Sequence, residues 1–186
     1  MKRLFDLFLV FWLGIILLLP LVFLIFLVKF TSKGPVLYWS DRMGRNNTIF
    51  RMPKFRTMRL GTPVVATHLL KNAKIFLTPV GGFLRKSSLD ELPQLWCILI
   101  GNMSFVGPRP ALFNQNDLIL LRTQCGVHKL VPGLTGWAQI NGRDDLPILT
   151  KVKLDAEYLR RRCFIFEIYI LWLTVFKVIM SEGVAH

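Results

Sequence analysis

Leu7-Phe8-Leu9-Val10-Phe11-Trp12-Leu13-Gly14-Ile15-Ile16-Leu17-Leu18-Leu19-Pro20-Leu21-Val22-Phe23-Leu24-Ile25-Phe26-Leu27-Val28 is a run of 22 residues without a charge. As a helix it is long enough for a bilayer core of roughly 30 Å. Pro20 interrupts it, removing one backbone hydrogen bond and kinking a helix. Basic residues flank both ends, Lys2 and Arg3 before, Lys29 and Lys33 after. One-sided positive charge would fix an orientation; two positive flanks do not. Two architectures remain: a simple span, and a kinked hairpin that dips into one leaflet and returns. A cleaved signal peptide fits poorly, because the apolar core is too long and no small-residue cleavage site follows.

The 186 residues suit about one domain, with no internal repeat or low-complexity linker. Hydrophobic residues make up 53% and the formal charge is +13, from 24 basic and 11 acidic residues. Mean hydropathy is +0.46. Apolar and basic together point to a membrane with an anionic surface and to phosphate-bearing substrates. Nucleic acid is disfavoured as a partner: there is no recognition motif, and binding it does not need this hydrophobicity. Cys97, Cys125 and Cys163 are odd in number and far apart. They read as reduced packing thiols on the cytoplasmic side, not as a disulfide or zinc framework.

Beyond the turn at 31–35, Val36-Leu37-Tyr38-Trp39 and Thr48-Ile49-Phe50-Arg51-Met52 read as two short strands of a hairpin around 40–47. In Lys54-Phe55-Arg56-Thr57-Met58-Arg59, a strand would place Lys54 and Arg56 on one face. That face is a phosphate-binding edge or a solvated basic one. Residues 66–76 suggest a short helix, and His68 there has no partner nearby in sequence. A helix is predicted over 91–100, starting near Asp90 so that Pro93 falls in its first turn and stopping at Gly101-Asn102. Pro108-Arg109-Pro110 makes a rigid loop that aims one guanidinium. The glycines of Pro132-Gly133-Leu134-Thr135-Gly136-Trp137-Ala138-Gln139-Ile140-Asn141-Gly142-Arg143 permit close backbone approach to a ligand, and its polar members are Thr135, Gln139, Asn141 and Arg143. Helices are also read over 112–125 and 151–162. Residues 164–180 are apolar nearly all round, a helix in the membrane interface or one buried in a core.

Arg85-Lys86-Ser87-Ser88-Leu89-Asp90-Glu91-Leu92-Pro93-Gln94-Leu95 holds two adjacent carboxylates in a chain with few of them. Neighbours on a helix point about 100° apart, so they suit two different jobs. The positive end of the helix dipole favours both ionised forms. An ionised carboxylate is a nucleophile, and a second one holds Mg²⁺ against phosphates. Arg85, Lys86, Arg109 and Arg143 supply positive charge for a diphosphate. The structural alternative is a capping box, Ser88-Leu89-Asp90-Glu91, with Asp90 itself a further candidate cap.

The order of four segments decides between these readings. Lys54–Met58, Leu84–Leu95, Gly101–Pro110 and Pro132–Arg143 together resemble the bacterial sugar transferase family, small monotopic phosphoglycosyl transferases that start glycoconjugate assembly on polyprenyl phosphate. The resemblance covers nearly the whole chain. It implies an α-rich α+β monotopic membrane protein with a re-entrant N-terminal helix hairpin kinked near Pro20, a small β-hairpin and interfacial amphipathic helices. Residues 1–33 would be the membrane-inserted segment and 34–186 the cytoplasmic catalytic part of one integrated unit, with Lys2 and Arg3 at the headgroups. It implies transfer of a sugar 1-phosphate from a UDP-sugar to undecaprenyl phosphate through an aspartyl phospho-sugar intermediate, releasing UMP. By that resemblance Asp90 is the nucleophile and Glu91 the Mg²⁺ ligand. Lys54, Arg85 and Arg109 are the active-site cations, Arg143 binds phosphate or nucleotide, and Gln139 and Glu167 are further candidates. Implied surroundings are the cytoplasmic face of a bacterial inner membrane, its phospholipid, and downstream glycosyltransferases. Two positions depart from the pattern: Leu19 replaces a serine before the membrane proline, and Glu167 replaces a late aspartate. No multi-span N-terminal extension precedes the run, so the expectation is a minimal catalytic unit. The competing expectation is a non-catalytic membrane-tethered scaffold of a glycan-assembly complex.

Overall fold

The computed structural model describes residues 2–63, 73–142 and 146–179. His68 and Arg143 lie outside the described residues. Helices dominate, with two small two-stranded sheets. The N-terminal run forms α1 (Lys2–Ile16) and α2 (Leu18–Thr31), bent by 64° at Leu17. Pro20 sits in the first turn of α2 and has no N–H for the Ile16 carbonyl, so the ladder breaks about one turn upstream of the proline. No single described helix is long and apolar enough to cross a membrane; only the bent pair has the combined length and composition.

Both halves of the pair are tied to the rest of the chain. Val10 of α1 joins the main core with Phe50, Ile98, Phe105, Tyr158 and Ile170. Leu24 and Val28 of α2 form a second core with Phe55 and Leu84. Asp6 is buried on α1 and accepts the Phe105 N–H at 3.2 Å. The opposite faces stay bare: Phe8, Phe11, Ile16, Leu19, Phe23 and Phe30 are all exposed. Lys2 and Arg3 both bond within the protein. Lys2 Nζ pairs with Glu167 at 2.6 Å and bonds the Val106 carbonyl at 2.9 Å. Arg3 donates to the carbonyls of Ile98 and Leu99, helping to satisfy the C-terminus of a helix.

Strands β1 (Leu37–Met43) and β2 (Ile49–Phe55) form the expected antiparallel hairpin, longer than its sequence reading, with Leu37 opposite Phe55. Just past β2, the Arg56 guanidinium donates to the Ser32 and Lys33 carbonyls at the end of α2. Arg56 is thus a buried brace and not part of a solvated basic face. Then come α3 (Gly81–Lys86), a 3₁₀ turn over Leu89–Gln94, α4 (Leu95–Ile100) and β3 (Ser104–Val106). The chain continues through α5 (Asn116–Gln124), β4 (Gly133–Thr135), α6 (Trp137–Ile140), α7 (Ile148–Arg161) and α8 (Phe164–Ile179). Of the helix read over 66–76, the described part Ala73–Phe76 is a 3₁₀ turn.

The parallel β3–β4 pair has no signal in the local sequence. It depends on contact between glycines: a Cβ on Gly133 would lie 2.1 Å from Gly107 N, and one on Gly136 would lie 2.1 Å from Gly107 O. Helix α8 buries one face and leaves the other bare. Phe166 and Ile170 are buried, while Tyr169, Trp172 and Phe176 stack ring on ring along an exposed face.

Candidate active site

The acidic pair is presented by a turn, not by a helix start. Ser88 adopts a left-handed conformation, φ 56° and ψ 15°, and makes no side-chain capping bond. A capping box needs an extended Ser whose hydroxyl accepts an N–H, so that reading is overturned. The tighter 3₁₀ winding of Leu89–Gln94 admits Pro93 and splits the helix read over 91–100 in two. It packs on β2, which brings Lys54 to the pair.

The two carboxylates have unlike surroundings. Glu91 Oε1 accepts from Lys54 Nζ at 2.7 Å and from Arg109 Nη2 at 3.0 Å. Its side chain keeps 18% exposure, and among the described residues nothing bonds Oε2. Burial would raise its pKa, but Arg109 and Lys54 outweigh that and hold the carboxyl well below the usual range. Asp90 is 7% exposed and receives no hydrogen bond among the described residues. Burial pushes its pKa up to about 6, Lys54, Arg85 and Arg109 pull it down, and the charge of Glu91 pushes it further up. The expectation that a helix dipole keeps both ionised is therefore corrected. Ion pairs do so for Glu91, whereas Asp90 is a poorly solvated, poorly bonded carboxylate with a pKa near neutrality. The two are therefore chemically distinct, a weakly stabilised carboxylate beside an anchored charge.

Arg109 is held by the carbonyls of its own loop. Prolines at 108 and 110 have no N–H to donate. All three successive carbonyls are taken instead: Pro108 O by Gly133 N–H at 3.0 Å, Arg109 O by Arg122 Nη1 at 2.8 Å, and Pro110 O by Arg42 Nη1 at 3.2 Å. Arg122 is fixed in turn by the buried Asp155, at 2.7 and 2.9 Å. Arg42, Arg122 and Asp155 escape sequence reasoning because they act through partners 13 to 68 positions away.

A cleft of about 280 Å³ opens over Asp90. Lys54, Arg85 and Arg109 line it with Asp90, joined by Arg42, Arg56, Arg59, Arg122 and Lys151. Asp90 is the acidic residue among the described lining, so the cleft suits a polyanion. Arg85 is steadied by Thr57, whose hydroxyl accepts from Nε at 3.0 Å. Lys86, expected to help hold a diphosphate, points out of the cleft. Gln139 lines it as a buried side chain, and neither end of its amide has a partner. Glu167 lies elsewhere. It takes Lys2 and the Tyr158 hydroxyl, at 2.8 Å, and joins the two chain ends. No cluster of three or more His, Cys, Asp or Glu able to hold a metal occurs among the described residues. Mg²⁺ asks for less, one or two carboxylates completed by substrate phosphates, and Asp90 with Glu91 matches that donor set.

Residues 1–181 match the family model of the bacterial sugar transferases. The chain is 39% identical over 184 residues to a Bacillus subtilis protein named uncharacterized sugar transferase EpsL, covering 99% of this chain and 90% of that one. It is 41% identical over 164 residues to the UDP-glucose:undecaprenyl-phosphate glucose-1-phosphate transferase of Escherichia coli, covering 84% of this chain. The match spans only 35% of that longer protein. The UDP-galactose-lipid carrier transferase of Erwinia amylovora is 36% identical over 201 residues, with 98% of this chain and 41% of that protein covered.

Proposed function

We propose, from the premise that the chain belongs to the bacterial sugar transferase family, that it moves a sugar 1-phosphate from a UDP-sugar to undecaprenyl phosphate. The observation that carries this reading is the contrast at the acidic pair: a cation-pinned Glu91 beside an Asp90 that faces a basic cleft. The names of the Escherichia coli and Erwinia amylovora relatives supply the donor and acceptor classes, with glucose in one and galactose in the other.

In the first step an Asp90 carboxylate oxygen attacks the sugar-bearing phosphorus of the donor. An O–P bond forms and the bond to the bridging oxygen breaks. That oxygen and the electron pair leave with UMP. In the second step the phosphate of undecaprenyl phosphate attacks the same phosphorus, releasing the Asp90 carboxylate and giving undecaprenyl diphospho-sugar. Such transfers depend on positioning and charge neutralisation. Lys54, Arg85 and Arg109 supply that charge around Asp90, with Arg109 steadied through its own carbonyl. Glu91, with Asp90 beside it, would hold Mg²⁺, which supplies further neutralisation of the diphosphate when bound.

The bent α1–α2 pair is a re-entrant hairpin in this reading, with both ends on the cytoplasmic face of the bacterial inner membrane. The bare apolar faces of α1, α2 and α8 support it, and an acceptor phosphate at headgroup level then meets the cleft. Purified protein with Mg²⁺, undecaprenyl phosphate and a panel of UDP-sugars should release UMP and form a lipid-linked sugar diphosphate. Asp90→Asn should release none. Full turnover by that variant would remove Asp90 as nucleophile, and no turnover by the unaltered chain would favour a scaffold.

A further inference from the structure

The Asp90 cleft has two differently built walls. One is built on β2 and the 3₁₀ turn that packs against it, and it carries Lys54 and Asp90. The other is built on α7, against which α5 and α6 both pack. It carries Leu118, Arg122, Ala138, Gln139 and Lys151. Gln139 stands out there. It is 8% exposed, and among the described residues neither its amide nitrogen nor its amide oxygen has a hydrogen-bond partner. Burying a donor and an acceptor unpaired is costly, and folded proteins rarely leave both ends of one amide so. The space beside it is kept by glycine: a Cβ at Gly136 would lie 2.8 Å from Gln139 Oε1.

We infer that Gln139 reads the base of the nucleotide donor, pairing its amide with the donor–acceptor edge of a pyrimidine imide. The inference rests on the transferase reading above. In-line phosphoryl transfer places the nucleophile and the leaving group on opposite sides of the phosphorus. With Asp90 on the β2 wall, the leaving nucleotide falls on the α7 wall. Lys151 there suits its phosphate. Leu118 and Ala138 suit the flat faces of a ring, and a neutral amide matches the N–H and carbonyl of an imide. A hexose fits this wall less well, because one amide between apolar neighbours leaves most of its hydroxyls unpaired. The three-bond side chain lets the amide turn into the cleft when the base arrives.

Calorimetric titration of the full chain in detergent with UMP and with ribose 5-phosphate tests this without turnover. The ratio of the two affinities isolates the base. In the unaltered protein UMP should bind more tightly. In Gln139→Met the ratio should fall about tenfold, one to two hydrogen bonds' worth, with ribose 5-phosphate affinity held within about twofold. Gln139→Glu, which keeps the shape and loses the donor, should lower the ratio as well. Because no native bond is lost, both variants should fold, with thermal midpoints unchanged or raised for the methionine. A ratio unchanged in both variants overturns the inference. So does an unaltered protein with no preference for UMP, or a rise in KM for the UDP-sugar with the ratio intact, which would assign the amide to the sugar. A Gln139-dependent ratio in a protein that transfers no sugar would leave the inference standing and remove the transferase reading.

Discussion

At the level of single residues, Asp90 is kept at a cost to stability. Its folded pKa of about 6 lies above the ordinary aspartate value of 3.8. Below pH 4 the carboxyl is protonated whether folded or not, and the difference contributes nothing. Between about pH 4 and 6 the unfolded chain releases its proton first, so stability falls as pH rises through that window. Above it a fixed penalty remains, about 2–3 kcal/mol for a shift of this size. Asp90→Asn should therefore raise the thermal midpoint at pH 7 while abolishing turnover; a lower midpoint would show that the carboxylate stabilises the fold. Under the proposed mechanism kcat should rise with pH through about 6, because that mechanism requires Asp90 ionised. Glu91 behaves oppositely. Its pKa is depressed, so the stability it contributes is present above the unfolded value near 4.5 and lost as pH falls below it. Glu91→Gln removes the counter-charge of Lys54 and should cost about 3 kcal/mol in chemical denaturation, partly recovered in Glu91→Gln with Lys54→Met. An additive double variant would mean that the Lys54 pairing at 2.7 Å contributes no coupling.

Among the elements, the Pro108-Arg109-Pro110 loop shows how a segment with two prolines lacking N–H groups is held in place. Arg122 grips the Arg109 carbonyl and is itself fixed by Asp155, which is 1% exposed. Arg122→Lys keeps a charge but gives up the fork that serves both partners. It should lower kcat about tenfold or more, with the KM for the UDP-sugar changed less, as expected when a transition-state contact from Arg109 is misplaced. Equal losses from Arg122→Lys and Arg122→Met, without that kcat bias, would reduce the pair to a strut between α5 and α7. Elements whose cause is local were legible in the sequence: the Pro20 break, the hairpin after 36, the glycine stop after α4. So were Lys54, Arg85, Asp90, Glu91 and Arg109, which lie in contiguous motifs. The β3–β4 pairing, the Arg56 brace and the Arg122–Asp155 support were not, because each joins segments remote in sequence and leaves no periodicity behind. The capping box failed for a related reason: the residue types at 88 and 91 allow it, but the left-handed Ser88 that β2 packing accompanies does not.

Across the whole molecule, the N-terminal pair is part of the catalytic body and not a detachable anchor. Val10 sits in the main core, and Leu24 with Val28 makes half of the second. Asp6 bonds β3, Arg3 covers the end of α4, and Lys2 reaches Glu167 on α8. The glutamate at 167, one methylene longer than the aspartate expected there, thus serves to close the chain's two ends on each other. A chain beginning at residue 34 loses all of these contacts and exposes the apolar surfaces they cover. Truncating even one buried aliphatic side chain commonly costs about 2–5 kcal/mol, and stability totals only about 5–15 kcal/mol. The shortened chain should therefore fail to fold, giving no cooperative thermal transition and no UMP binding in detergent. The Lys2–Glu167 pair gives a finer probe of the same coupling. Glu167→Gln leaves the buried Tyr158 hydroxyl a partner but removes the counter-charge of Lys2, so α1 should loosen at its start while α2 stays docked. Hydrogen exchange should then quicken over residues 4–10 and remain unchanged over 24–30. A soluble, folded chain from residue 34, or equal exchange in both stretches, would show that the hairpin anchors the enzyme without building it.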